Sequence, residues 1–212
     1  MEYVPECAEH TYVMHNCHDY EKMMKMASED PVRYDRTVVN ILSVGRLSAE
    51  KGHMRVIDAL YRLKEDGFKF CWHIVGDGKE AEKIMTTAQK YNMSRNIVLY
   101  GDTDNPYKYY LNADMLLVPS YHEAAPMVFG EAEFFRIPVL TTKTASTEEL
   151  VTERNIGIVV ENSEEGIYKG LEYVAGNLQI LRKIKNYSGR EIPDNSRALA
   201  EFYSVIEGEE QQ

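Results

Sequence analysis

Six short apolar runs alternate with segments of helical composition along most of this chain, and that alternation restricts the possible folds more than any other feature. Residues 38–44, 68–75, 96–100, 114–118, 137–140 and 156–160 read as strands. Between them Val56, Ile57, Ala59, Leu60 and Leu63 recur at helical spacing, and 79–91, 107–112, 129–135 and 147–152 have helical composition. Ser163 caps a further helix through about Ala175, and 196–206 reads as a closing helix. Repeated strand–helix alternation with buried strands predicts an α/β, Rossmann-like, doubly wound parallel sheet, which places ligands at the carboxyl ends of its strands. With 212 residues, 44% of them hydrophobic, the chain can bury a proper core, and its length suggests one domain or a domain with appendages.

Two strand ends carry candidate chemistry. After Met115-Leu116-Leu117-Val118 comes Tyr121-His122-Glu123-Ala124-Ala125-Pro126-Met127-Val128-Phe129-Gly130-Glu131-Ala132. Pro126 suits a first helical turn, where its missing N–H would have had no partner anyway. The N–H groups of Met127, Val128 and Phe129 are then free to face an anion. Glu123 and Glu131 would repel a bare phosphate, so they make sense as acceptors for hydroxyl groups attached to it. As bland alternatives, Glu123 is a loop-surface charge and Glu131 complements the helix dipole.

Upstream, the strand Val38–Val44 runs into Gly45-Arg46-Leu47-Ser48-Ala49-Glu50-Lys51-Gly52. Gly45 permits a tight turn and close backbone approach, and Arg46 and Lys51 at the same sheet edge can clamp a diphosphate, one as a fork and one as a point charge. Isolated, Glu50 and Lys51 would read as solvated helix-start charges; beside Gly45, Arg46 and Gly52 the phosphate reading is stronger. Gly76-Asp77-Gly78 by itself is an ordinary turn after a strand. Glu148 and Glu149 read as helix-start charges, and Tyr107, Tyr109 and Tyr110 as packing rather than a stacking platform.

The ordered set Gly45-Arg46-Leu47-x3-Lys51-Gly52, Val75-Gly76-Asp77-Gly78, Asn105-Pro106-Tyr107, Asn112-Ala113-Asp114 and the spaced Glu123 and Glu131 resembles the nucleotide-sugar half of GT-B glycosyltransferases of the large retaining family 4. The resemblance runs from about His15-Asn16 to Glu207 and implies three parts: a connecting segment over 1–36, a donor-binding domain over 37–207 and a tail over 208–212. It implies sugar transfer from a nucleoside diphosphate to an acceptor hydroxyl with retention, in polysaccharide or glycan synthesis. Arg46, Lys51 and Glu123 would serve the reaction; Gly45, Gly76, Gly78, Pro126, Met127, Val128, Phe129 and Glu131 would bind the donor. No metal or other cofactor is implied, and uridine diphosphate is expected ahead of guanosine diphosphate. The family's amino-terminal acceptor-binding half has no counterpart, so the resemblance implies a partner domain, in cis or in trans, and negligible turnover by this chain alone. Tyr12 to Asn16 would enter from that half, and any membrane contact would come through it. Two positions depart from the family pattern: Ala124 where a glycine is usual, and Arg136-Ile137-Pro138 where Gly-x-Pro is usual.

A net charge of −10 argues against nonspecific binding to nucleic acid or anionic membranes, so local basic groups must do any phosphate work. No apolar stretch approaches a membrane span and the amino terminus lacks a basic and apolar signal, which makes the cytoplasm the expected compartment. Cys7, Cys17 and Cys71 are too few and odd in number for a disulfide framework. Cys7, His10, His15, Cys17 and His18 crowd the amino terminus, but their spacing matches no usual zinc pattern. The alternatives to a transferase are a nucleotide-sugar-binding module without activity and half of a nucleotide-sugar epimerase. A dinucleotide oxidoreductase is disfavoured because no Gly-x-Gly-x-x-Gly follows the first strand.

Overall fold

A computed structural model describes residues 12, 15–185 and 193–209. Six parallel strands form one sheet in the order β3-β2-β1-β4-β5-β6: β1 Val39–Val44, β2 Phe70–Val75, β3 Ile97–Leu99, β4 Met115–Val118, β5 Val139–Thr142 and β6 Gly157–Val160. The helices are α1 Tyr20–Glu29, α2 Met54–Glu65, α3 Ala81–Lys90, α4 Met127–Phe134, α5 Glu164–Gly176, α6 Leu178–Lys185 and α7 Ser196–Glu209. The chain winds outward from β1 to β3, then returns to β4 on the other side of β1. The order therefore reverses between β1 and β4, and a crevice opens there at the strands' carboxyl ends.

Strand side chains alternate between faces, and both faces are apolar. Ile41, Trp72, Ile74, Met115 and Leu117 enter the layer beneath α2, α3 and α5. Leu42, Leu116 and Val118 enter the layer beneath α1 and α4. Ser43 crosses the sheet within the first layer, donating to Leu117 O at 2.7 Å and accepting from the Trp72 indole at 3.0 Å.

Most expected elements are present, with shifted ends. β5 begins at Val139 rather than Ile137, because Pro138 has no N–H to give the ladder. The helix expected over 147–152 is one wide turn, Glu148–Thr152, and that over 107–112 is a 3₁₀ turn, Tyr107–Tyr109. The segment expected only to connect contains α1. Asp19 caps this helix by accepting from the Lys22 N–H at 3.0 Å, and Met23 and Ala27, one turn apart, are its buried residues. Tyr20, Met23, Met24 and Ala27 stand at i, i+3, i+4 and i+7, so the helical period is present in the sequence although the segment reads there only as a connector. α6 was likewise not foreseen.

Four helical segments end in the same way, with a residue at positive φ whose N–H and the next N–H reach back to the last turn. The left-handed residues are Gly67 (φ 84°), Asn92 (52°), Arg136 (56°) and Asn155 (53°). After α4, the Arg136 N–H donates to Glu133 O at 3.0 Å and the Ile137 N–H to Ala132 O at 2.8 Å, a Schellman ending. Gly and Asn tolerate this conformation; the Cβ of arginine is crowded in it. Arg136, a departure from the family pattern, therefore occupies a position whose backbone favours glycine.

A buried arginine ties the crevice together. Arg55, in the first turn of α2, donates to Pro119 O from Nε at 3.1 Å and from Nη2 at 2.6 Å, and Nη2 also reaches Asn162 Oδ1 at 2.7 Å. Its guanidinium stacks over the Tyr121 ring, 3.8 Å from the centroid. Asn162 in turn donates to Tyr121 O and Lys143 O, at 2.9 and 3.0 Å. Gly52 (φ 68°) lets the chain pass beneath: a Cβ there would lie 2.2 Å from Pro119 O.

Arg136→Gly should raise stability by roughly 1 kcal/mol, while Gly67→Ala, which has open space but the same backbone demand, should lower it by roughly 1 kcal/mol. Urea unfolding of both variants checks the opposite signs. Arg55→Lys keeps the charge but loses the fork, and should cost about 2–3 kcal/mol in the same experiment.

Candidate functional site

The crevice between β1 and β4 is walled by the loops that follow them. On the β4 side, Glu123 is nearly enclosed, its side chain 9% exposed, and it is held by two donors: Lys51 Nζ at 2.6 Å and Ser120 Oγ at 2.6 Å, both to Oε1. The sequence places Lys51 and Glu123 on opposite walls with separate tasks; the fold joins them in an ion pair. Lys51 keeps 30% of its side chain exposed, so it is the solvent-facing member. It sits in the short 3₁₀ turn Ala49–Lys51, which the left-handed Gly52 ends. Behind it lies His53, buried and stacked near Trp72, whose protonation burial and the Lys51 charge push down to about 4. The Ser120 backbone is anchored by Thr142 Oγ1, which donates to Ser120 O at 2.6 Å.

α4 starts one residue later than the proline suggests. Pro126 is the residue before the helix, and Met127 is the first within it. As the first two helical positions, Met127 and Val128 have no intrahelical carbonyl to bond. The Phe129 N–H, expected to face an anion with them, instead turns back to Pro126 O at 3.3 Å, and the Phe129 side chain is core. Glu131, the fifth helical residue, is 8% exposed, and Oε2 accepts from the Tyr110 hydroxyl at 2.5 Å. Burial raises its carboxyl above the ordinary range and the Tyr110 hydrogen bond partly offsets this. Tyr110 is wholly buried, in keeping with packing rather than base stacking.

On the β1 side, Gly45, Arg46, Gly76 and Asp77 line a recess of 340 Å³ with Asp102, Thr103 and Pro106. Arg46 is exposed within it. Close backbone approach, expected of Gly45, belongs instead to Gly76 and Gly78. A Cβ on Gly76 would lie 2.0 Å from Gly45 O and one on Gly78 2.3 Å from Leu47 O, whereas a Cβ on Gly45 would meet nothing within 4 Å. The loops are laced by Gly45 N to Val75 O, Leu47 N to Asp77 O and Gly76 N to Gly101 O, at 2.9, 2.9 and 2.8 Å. Asp77 Oδ1 accepts from the Gly78 N–H at 2.7 Å, so this carboxylate shapes the turn.

Arg55, Ser120 and Asn162 were not singled out from sequence. For Arg55 alone a signal existed: it shares the four-residue stripe of the buried Ala59 and Leu63. Cys7 and His10 lie outside the described residues, and among the described residues no three His, Cys, Asp or Glu side chains gather as a metal site. No helix among them is long and apolar enough to cross a membrane.

The fold is shared with solved glycosyltransferases. WaaG, a glycosyltransferase of lipopolysaccharide biosynthesis, superposes with a TM-score of 0.67 at 23% identity, covering 89% of this chain and 50% of that one. HepE of Anabaena in complex with UDP and glucose gives 0.73 at 17% identity, with 97% and 58% covered. In sequence, the chain is 29% identical over 176 residues to an N-acetylgalactosaminyltransferase of Campylobacter jejuni that acts on a diphospho-undecaprenol-linked acceptor, covering 82% of this chain and 47% of the relative. It is 31% identical over 157 residues to the putative colanic acid biosynthesis glycosyltransferase WcaL of Escherichia coli, with 70% and 39% covered. The chain thus spans somewhat less than half the length of these relatives. Residues 31–190 match the family described as glycosyl transferases group 1, a span that includes Arg46, Lys51, Glu123 and Glu131, and the chain belongs to that family.

Proposed function

We propose that this chain is the nucleotide-sugar-binding half of a retaining glycosyltransferase of polysaccharide or glycan synthesis, acting in the cytoplasm. The observation that carries the reading is the Lys51–Glu123 pair at the topological switch point, beside the free N–H groups of α4. A diphosphate would draw on Lys51, Arg46 and the amides of Met127 and Val128. That array stabilises a leaving phosphate oxygen as the glycosidic bond breaks, without a divalent metal. Glu123, released from Lys51 as phosphate takes its place, would accept from sugar hydroxyls. Glu131 has one oxygen occupied by Tyr110 and would offer the other to a ribose hydroxyl. The glycine-walled recess beside Arg46 would take the base, and the UDP bound by HepE supports uridine. The acceptor would be held by an amino-terminal half, in cis or in trans. The α7 residues Leu199, Phe202, Tyr203 and Ile206, exposed at helical spacing, support a docking face for it.

Calorimetry with uridine and guanosine diphosphates, with and without chelator, tests this reading. Binding should be measurable and insensitive to chelator; no binding to either nucleotide, or binding abolished by chelator, overturns it. Arg46→Ala and Lys51→Ala should each weaken diphosphate binding roughly 10- to 150-fold and flatten its salt dependence. Glu131→Ala should weaken nucleotides and spare inorganic pyrophosphate. Equal losses for every ligand would refute the division of roles.

Sugar transfer from a labelled nucleotide-sugar should be negligible for this chain alone and appear when an acceptor-binding half is joined or added. One half presents one wall of the cleft, and retention with exclusion of water needs both reactants held in contact. Robust acceptor-dependent turnover by residues 1–212 alone would count against the half-enzyme reading.

A further inference from the structure

Away from the donor crevice, one side chain has both its ring nitrogens engaged by acids from two different elements. His15 lies on the segment that enters the domain. Its Nδ1 is 2.8 and 2.7 Å from the two carboxylate oxygens of Glu201 in α7, and its Nε2 is 2.6 Å from Glu149 in the wide turn after β5. Its backbone N–H also donates to Glu201, at 2.9 Å. Ionised carboxylates only accept, so a ring that serves both must donate from both nitrogens, and only the imidazolium can. Arg197 approaches the same two acids, at 3.4 Å from Glu149 and 3.1 Å from Glu201. Two carboxylates therefore face two cations, and the cluster is neutral only while His15 is charged.

This cluster is wired to the donor loop. The neighbouring Asn16 donates from Nδ2 to Ala125 O at 2.9 Å, between Glu123 and the start of α4. Two residues on, the His18 backbone exchanges hydrogen bonds with the Asn195 side chain, at 2.9 and 2.8 Å, just before α7. The His18 ring fills the space that Gly130 leaves on α4, where a Cβ would lie 2.3 Å from Nε2. The entering segment thus bridges α7 to the loop of Glu123, and His15 is its one attachment whose strength depends on charge among these contacts.

We propose that His15 is a positioning residue, a charged clasp that holds α7 and the Glu149 turn to the entering segment and through Asn16 sets the loop between Glu123 and α4. When the ring loses a proton, one nitrogen turns its lone pair toward a carboxylate at hydrogen-bond distance, and that side of the clasp is repelled. The hydrogen bond to Glu201, then that to Glu149, raises the His15 protonation range above 6.5, with burial and Arg197 opposing. A group raised on folding contributes fully below its unfolded value, and its contribution is lost as pH rises through the folded value. The other groups around His15 act differently. Glu149 and Glu201 are held below their ordinary range and change only in acid, and burial, aided by Arg154, suppresses His18 protonation. Asp194 lines the same hollow as His15, Glu149 and Arg197 as a further charge.

The test needs no ligand, so its outcome is separate from that of the nucleotide-binding reading. Proton NMR of the His15 ring in the full chain, from about pH 5 to 9, should give a midpoint above 6.5, and the amide signals of Glu123 and Ala125 should shift with that midpoint. The thermal midpoint should fall over the same interval, and His15→Gln should abolish that fall. Glu149→Gln combined with Glu201→Gln should return the ring toward its ordinary titration. A wild-type ring midpoint at or below 6.5 overturns the clasp even if no variant folds. Loop amides that do not follow the ring, or an unchanged thermal profile in His15→Gln, overturn the coupling.

Discussion

The crevice exists because a buried guanidinium meets the carbonyl that β4 leaves behind. At the switch point the strands diverge into loops, and Pro119 O has no neighbouring strand to bond it. Arg55 supplies two N–H groups to that oxygen and a third contact to Asn162, which then holds the Tyr121 and Lys143 carbonyls. One fork thereby fixes the loops after β4 and β5 to the first turn of α2. Lys51, four residues ahead of Arg55, inherits its position from this anchor, and Gly52 between them is required because the backbone passes against Pro119 O. A charge buried in this way is costly unless it is well paired with acceptors, and the three hydrogen bonds that satisfy Arg55 also satisfy the carbonyl and tie the loops together.

On that wall, charge is arranged by exchange rather than by accumulation. A chain of net charge −10 gains nothing from long-range attraction of an anion, and the lysine that could bind one is occupied by Glu123. The pair keeps an ammonium and a carboxylate in a narrow space without an unpaired partner, which is the costly case in a low-dielectric site. In the proposed function, an incoming anion would compete for Lys51 and in doing so would expose the acceptor beside it. Glu131 follows the same logic with a neutral partner, since the Tyr110 hydroxyl satisfies one of its oxygens inside the core.

Much of this was legible in the linear chain. The alternation of apolar runs and helical patterns determined the parallel sheet, because a strand buried on both faces is largely apolar and a crossover helix follows it. Arg46, Lys51, Glu123 and Glu131 were legible as candidates because each lies in the segment after a strand end, where doubly wound sheets place ligands. The glycines marked tight backbone, though which glycine meets which carbonyl depends on loops brought together from β1, β2 and β3. Arg136 stood out as a departure from pattern, but its meaning, a bulky residue in a left-handed helix ending, is a backbone angle that no side-chain pattern encodes.

The rest was decided only by the tertiary structure. The Lys51–Glu123 pair, the Arg55 fork and the His15 cluster join residues 72, 64 and 134 or more positions apart. Local propensity acts over one or two helical turns and carries no information at such separations. The sequence by itself determined which chemical groups gather at the carboxyl edge of the sheet. Which of them bond to one another, and so which remain free to meet a ligand, was settled by packing in three dimensions.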